Sequence, residues 1–146
     1  MTPLLLVHGY NANGGDGSTD RLIPYLRHKY QVVAPEYRWF NGPLSGLLGA
    51  RFLNNRRAED IARSVHQFPE LCAIGHSNGA AILMRLVNAE PERFKSVILV
   101  NPAMDVDAHI APGVRVFVYH TPGEVPTRVA RWMPFHEWGA MGSKGY

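Results

Sequence analysis

Five short apolar runs, separated by segments with helical patterns, constrain the fold of this chain more than any other feature. The runs are Leu4 to Val7, Gln31 to Ala34, Leu71 to Ile74, Val97 to Val100 and Val114 to Tyr119. Each is continuously apolar rather than alternating, which predicts a strand buried on both faces. Strands that alternate with helices predict an α/β protein, a three-layer α/β/α sandwich around a mostly parallel sheet of about five strands.

Three segments between these runs have apolar residues at helical spacing: Asp20 to Tyr30, Ala58 to Phe68 and Asn78 to Ala89. The last is the clearest, because Pro91 follows its end. A weaker helical pattern covers Pro126 to Met133. By contrast, Arg38 to Asn55 mixes apolar side chains with glycines, which predicts a long connection that covers or lines a pocket.

Composition bounds the class of protein. A chain of 146 residues with 46% hydrophobic residues fits a single domain over residues 1–146. Cys72 is the only cysteine, so no internal disulfide forms. The net charge is +3 with Lys and Arg scattered along the chain, which argues against nucleic-acid binding. No apolar stretch approaches the roughly 18 to 20 residues of a membrane span, and the amino terminus has no signal-peptide pattern, so a cytoplasmic location is expected.

The motif Gly75-His76-Ser77-Asn78-Gly79 directly follows the strand Leu71 to Ile74 and opens the helix that begins at Asn78. A G-x-S-x-G pattern in this context predicts a sharp strand-to-helix turn that exposes the serine hydroxyl at the carboxyl edge of the sheet. Glycines suit such a turn because strand and helix approach closely. The helix amino terminus also provides N–H groups where an oxyanion would form.

A second motif runs from the buried strand Leu4 to Val7 into His8-Gly9-Tyr10. With the G-x-S-x-G turn, it makes the chain resemble the α/β-hydrolase family, particularly its lipases and esterases, in an abbreviated form without a cap domain. The resemblance implies that Ser77 is the nucleophile and that the backbone N–H groups of Tyr10 and Asn78 stabilise the oxyanion. It also implies a structural role for His8, with His8 as the catalytic base the rival assignment.

A serine hydroxyl needs a base and a third group that orients the base. The family order of serine, acid and histidine implies Glu124, after the last strand, as the acid, with Asp105 and Asp107 as alternatives. The same order implies His136 as the base, with His120 as the second choice. The usual interval between acid and base holds a helix and a strand, whereas only a short helix is expected here. Either His136 reaches over an abbreviated sheet, or the base lies on a tail beyond this sequence.

These residues together predict a serine hydrolase that cleaves a carboxylic ester, with a partly apolar small molecule as substrate. No group of His, Cys, Asp and Glu has zinc-ligand spacing, and no metal or cofactor is expected. Two alternatives stay open: a binding or structural protein with a defective triad, and an acyltransferase or peptidase with the same nucleophile. A homo-oligomer would cover sheet edges, but nothing in the residues requires one.

Overall fold

The apolar runs form a five-stranded sheet in a computed structural model that describes residues 1–9, 17–36, 43–122 and 139–146. The side chains of residues 43–52 and of Ser143 are outside this description. The strands are β1 (Thr2–Val7), β2 (Tyr30–Val33), β3 (Leu71–His76), β4 (Phe94–Val100) and β5 (Arg115–Tyr119). Their order is β2-β1-β3-β4-β5, and every neighbouring pair is parallel. The predicted parallel sheet of about five strands is confirmed.

Four α-helices lie in the described part of the chain: α1 (Ile23–Leu26), α2 (Pro43–Ser64), α3 (Asn78–Ala89) and α4 (Met141–Lys144). Helix α3 has the bounds that the sequence predicts. None of the described helices combines the length and the apolar character needed to cross a bilayer. The weaker helical pattern over Pro126 to Met133 lies outside the described residues.

The predicted helix from Asp20 to Tyr30 is wrong in its extent. A 3₁₀ turn covers Asp20–Leu22, α1 ends at Leu26, and Tyr30 already pairs with Thr2 in the sheet. Pro24 explains the division at the amino end, because proline has no N–H group to donate to the carbonyl of Asp20 in a continuous α-helix.

The long connection predicted over Arg38 to Asn55 is also wrong in part, since α2 begins at Pro43 and continues to Ser64. Proline is favoured in the first turn of a helix. The glycines Gly46 and Gly49, which suggested a loop, each cost a helix only about 1 kcal/mol relative to alanine. At the other end, α2 stops before the predicted Phe68.

The two faces of the sheet bury different sets of side chains. Leu5, Val7 and Leu99 point to the face that packs against α2 and α3. Leu4, Leu6 and Ile74 point to the opposite face, where Ile23 and Leu26 of α1 cover them. The three-layer architecture follows from helices on both sides.

Burial on both faces holds for the central strands β1 and β3, whose sequences are continuously apolar. The prediction is wrong for β5, which lies at the edge of the sheet and alternates between exposed and partly buried residues. Its side chains Phe117 and Tyr119 are exposed.

The carboxyl ends of the parallel strands meet at one edge of the sheet, and the segment after β4 is held there. Asn101, which has a positive φ of 42°, donates its N–H to Tyr119 O at 2.8 Å, and its side-chain oxygen accepts from Thr121 N–H at 2.8 Å. Helix α4 packs on the same segment, since Met141 N–H donates to Met104 O at 2.9 Å. Met141 is fully buried.

Candidate functional site

Ser77 occupies the turn between β3 and α3 in a strained backbone conformation, with φ 53° and ψ −126°. Such a conformation costs a non-glycine residue on the order of 1–3 kcal/mol and persists only where surrounding structure holds it. Three backbone hydrogen bonds hold it here. Ser77 N–H donates to Val100 O at 3.0 Å, and Ser77 O accepts from Ala80 N–H and Ala103 N–H, each at 3.1 Å. The serine is therefore fixed by β4 and by its own helix.

The two glycines of the motif are required by close packing around this turn. A Cβ at Gly79 would overlap the carbonyl oxygens of Val7 and His8 at the end of β1. A Cβ at Gly75 would lie 2.8 Å from Ala80 Cα in the first turn of α3. Glycine at both positions thus allows β1, β3 and α3 to converge beside Ser77.

The His8-Gly9 segment lies directly against the turn at Ser77. His8 is buried, and its Nδ1 donates to the carbonyl oxygen of Gly9 at 2.9 Å. A Cβ placed on Gly9 would come within 3.1 Å of both Ser77 Cβ and His76 Nδ1. The end of β1 therefore packs on the turn, as expected for a loop that lies beside the nucleophile. The next residue, Tyr10, lies outside the described residues.

Ser18 joins this cluster, although sequence reasoning missed it. Its hydroxyl lies 2.8 Å from His76 Nδ1, and it accepts a long hydrogen bond of 3.5 Å from Gly9 N–H. His76 is partly buried, and this desolvation lowers the pKa of its imidazole below the usual 6.5. Burial therefore favours the neutral imidazole. The position of Ser18 at the end of a Gly-rich segment is the only sequence signal.

A buried amide pair supports the start of α3. Asn54 of α2 and Asn78 each donate from Nδ2 to the other's Oδ1, and both distances are 3.1 Å. Both side chains are fully buried. Asn78 directly follows Ser77, so this pair ties α2 to the residue whose N–H is an expected oxyanion donor. Sequence reasoning missed Asn54 because it lay at the end of a predicted connection.

The predicted acid and base, Glu124 and His136, lie outside the described residues, and their roles stay predictions. Of the alternatives, His120 follows β5 and its imidazole packs on the carboxyl-terminal segment, where a Cβ on Gly145 would lie 3.0 Å from its Nε2. Within the described part of the chain, no hydrogen bond joins Ser77 to a histidine.

The alternative acids Asp105 and Asp107 are exposed after β4. They line an open cavity of about 600 Å³ beside α3, together with Arg85, Asn88 and His109. Ser77 is not among the described residues that line this cavity. Over the same described ranges, no three His, Cys, Asp or Glu side chains form a group that could hold a metal ion.

The arrangement suits attack on a carbonyl group. Ser77 is partly buried at the carboxyl edge of the sheet, and the amino terminus of α3 directs N–H groups at the same place. A carbonyl carbon bonded to Ser77 Oγ would put its oxygen near that helix terminus, where developing negative charge is stabilised. A parallel sheet with a strained serine turn at this edge, packed against a His-Gly segment, is the architecture of the α/β-hydrolase fold.

The comparison with known protein families agrees with this description of the fold. The sequence model described as the alpha/beta hydrolase family matches residues 4–143, and the chain belongs to this family. None of the curated proteins compared with it matches.

Solved structures similar to this chain include hydrolases. The 2-hydroxy-6-oxo-6-phenylhexa-2,4-dienoate hydrolase of a Rhodococcus species is 26% identical with a TM-score of 0.57, and the match covers 73% of this chain and 41% of that one. A YdeN-like hydrolase of Pectobacterium atrosepticum is 21% identical with a TM-score of 0.59, covering 90% and 71%. A carboxylesterase of the thaumarchaeon Nitrososphaera gargenis is 20% identical with a TM-score of 0.54, covering 71% and 39%. The chain thus spans about 40% of the length of two of these relatives.

Proposed function

We propose that this chain is a serine hydrolase that cleaves carboxylic esters, with Ser77 as the nucleophile. The observation that carries the proposal is the strained turn at Ser77, with φ 53°. Strain of this kind clusters at active sites, where it holds a reacting group in place. Three backbone hydrogen bonds maintain it here, and two neighbouring strands contribute to the packing around it.

In the proposed reaction, His136 takes the proton of Ser77 Oγ as this oxygen bonds to the ester carbonyl carbon. The carbonyl electron pair moves to the oxygen, which the N–H groups of Tyr10 and Asn78 stabilise. Collapse of this intermediate breaks the bond to the alcohol, which leaves with the proton returned by His136. Water then attacks the acyl-enzyme by the same route, releasing the carboxylic acid and restoring Ser77. Glu124 orients His136, and Asp105, Asp107 and His120 are the alternatives for these two roles.

The proposed substrate is an uncharged, partly apolar small molecule. This choice is supported by the many apolar residues in the stretch of sequence between β2 and β3, which are Trp39, Phe40, Leu44, Leu47, Leu48 and Phe52. A carboxylesterase among the similar structures is in line with an ester substrate. Pocket shape selects the leaving group and the acceptor, so the fold alone leaves acyl transfer and peptide cleavage open.

Labelling with a fluorophosphonate tests the proposed nucleophile. The reagent forms a P–O bond with an activated serine and releases fluoride, and the adduct is read by intact mass and peptide mapping. One adduct per chain on Ser77, absent in Ser77→Ala, is the expected result. Ser64→Ala is the matched control, because Ser64 lies at the end of α2 and bonds only locally to Ile61 O at 2.7 Å. A folded wild-type protein that gains no adduct would overturn the proposal and favour a binding or structural role.

A further inference from the structure

Ser18 connects two parts of the site that the serine motif does not link by itself. It accepts a hydrogen bond from Gly9 N–H at 3.5 Å, and its hydroxyl lies 2.8 Å from His76 Nδ1. Gly9 ends the β1 segment, whereas His76 ends β3 directly before the nucleophile. One side chain therefore joins the end of β1 to the turn that carries Ser77.

Ser18 Oγ can take part in both hydrogen bonds at once, because a hydroxyl group has two lone pairs and one proton. The Gly9 N–H group donates to Ser18 Oγ. The hydroxyl donates to His76 Nδ1 in the imidazole tautomer that has Nδ1 unprotonated, and accepts from Nδ1 in the other tautomer. Burial of His76 lowers the pKa of its imidazole, which favours the neutral ring.

The two described residues that flank the segment between β1 and the first 3₁₀ turn, Gly9 and Gly17, are both packed close to the turn at Ser77 or to His8 beside it. At the returning end, Gly17 N–H donates to Asp20 Oδ2 at 2.8 Å, and Gly17 packs so closely on His8 that a Cβ would lie 2.7 Å from His8 Cβ. At the leading end, Gly9 rests on Ser77 and His76. Tyr10, the expected oxyanion donor, is the residue directly after Gly9.

His76 acts here through its neighbour rather than on substrate. Side chains two residues apart in a strand lie on the same face, so His76 shares the face of Ile74, which packs toward α1. Its Nδ1 is already bonded to Ser18. The imidazole thus serves as the hydrogen-bond partner that fixes Ser18.

We propose that Ser18 and His76 are positioning residues: their hydrogen bond holds the end of β1, as far as Gly9, against the turn that carries Ser77, and so keeps this side of the site in place when the oxyanion forms. The inference rests on the proposed function, because it concerns the same reaction. An interaction that matters only when the oxyanion forms acts on kcat, whereas KM stays nearly constant.

The test compares kcat and KM for hydrolysis of p-nitrophenyl butyrate in single and double variants. Ser18→Ala and His76→Leu each remove the hydrogen bond, and we expect a fall in kcat of about tenfold with KM within about twofold. Displacing a donor should cost less than losing it, which costs roughly a hundred- to a thousandfold. The double variant should be no slower than either single variant, because both changes remove one interaction.

Conservative replacements provide the rescue. Ser18→Thr keeps the hydroxyl and His76→Asn keeps an acceptor near the position of Nδ1, so both should regain most of the lost kcat. Ser64→Ala, which removes a serine hydrogen bond of 2.7 Å remote from the turn, should leave kcat unchanged. Ser18 is solvent-exposed, so Ser18→Ala keeps the core intact and carries the test even if His76→Leu does not fold.

The outcomes separate this inference from the proposed function. If wild-type Ser77 gains no fluorophosphonate adduct, the proposed function fails and the positioning role fails with it. If Ser77 is labelled but Ser18→Ala keeps wild-type kcat, the positioning role alone is overturned. The positioning role would also be overturned if the variants changed KM rather than kcat. The same holds if the fold-decrease in kcat of the double variant were the product of the two single decreases.

Discussion

The buried amide pair of Asn54 and Asn78 provides a quantitative test of how α2 supports the turn at Ser77. Truncation of Asn54 to alanine removes two hydrogen bonds of 3.1 Å at a fully buried position. It leaves the facing N–H and oxygen of Asn78 without these partners, which costs about 1–3 kcal/mol. The lost side-chain volume adds on the order of 1 kcal/mol. We therefore expect the free energy of unfolding to fall by roughly 2–4 kcal/mol.

A double-mutant cycle distinguishes orphaned amides from simple loss of packing. Replacing both residues with leucine, which has a similar size, removes both polar groups together, and such replacement is often nearly neutral. The combined change should thus be less destabilising than the sum of Asn54→Leu and Asn78→Leu by about 1–3 kcal/mol. Asn55→Ala is the matched control, because Asn55 is the exposed neighbour on the same helix.

Urea denaturation of each variant measures these differences, with the slope of the transition checked for constancy. Thermal unfolding gives a second measure, since about 2–4 °C of Tm accompanies each kcal/mol in a domain near this size. If Asn54→Ala is no worse than Asn55→Ala, or if the two leucine changes simply add, the amide pair does not stabilise the turn and the reasoning is refuted.

Three further predictions concern the reaction, the packing and the dependence on pH. His136→Ala should abolish fluorophosphonate labelling of Ser77, whereas His120→Ala should leave the rate of adduct formation unchanged. The reverse result would assign the role of base to His120 instead of His136. Gly79→Ala should lower the free energy of unfolding by at least about 1–3 kcal/mol, as overpacking does, because its Cβ meets carbonyl oxygens of β1; an unchanged urea midpoint would contradict this packing. Because the folded-state pKa of His76 lies below 6.5, the unfolded chain takes up a proton first as pH falls through 6.5, and wild type should lose stability relative to His76→Asn from pH 7 to pH 5. A constant difference between the two proteins would exclude that linkage.

The sequence predicts the five strands because each is a short apolar run, which is a local signal. It overstates the burial of β5, because that strand lies at the edge of the sheet and has one exposed face. Helix α3 was predictable for a similar reason, since its apolar residues and Pro91 are local signals. Helix α2 was only half predicted, because Gly46 and Gly49 in its first half resemble a loop in sequence.

The polar contacts around the nucleophile were beyond sequence reasoning. Asn54 pairs with a residue 24 positions away, and Ser18 pairs with one 58 positions away. Asparagine and serine in such segments are usually solvated, and only the tertiary arrangement brings these side chains together. The strained turn was foreseeable from its motif, whereas Glu124 and His136 stay predictions that rest on chain order.

The order of the strands has a consequence for when the strained turn at Ser77 can be held during synthesis. β1 and β2 are made first, and β3, β4 and β5 follow in chain order, each extending the sheet on the other side of β1. Ser77 directly follows β3, but its N–H partner is the carbonyl of Val100 at the end of β4. A nascent chain that ends before Val100 therefore lacks this hydrogen bond, and Ala103, which supplies another, is made later still. The backbone conformation of Ser77 thus depends on residues that are synthesised well after it.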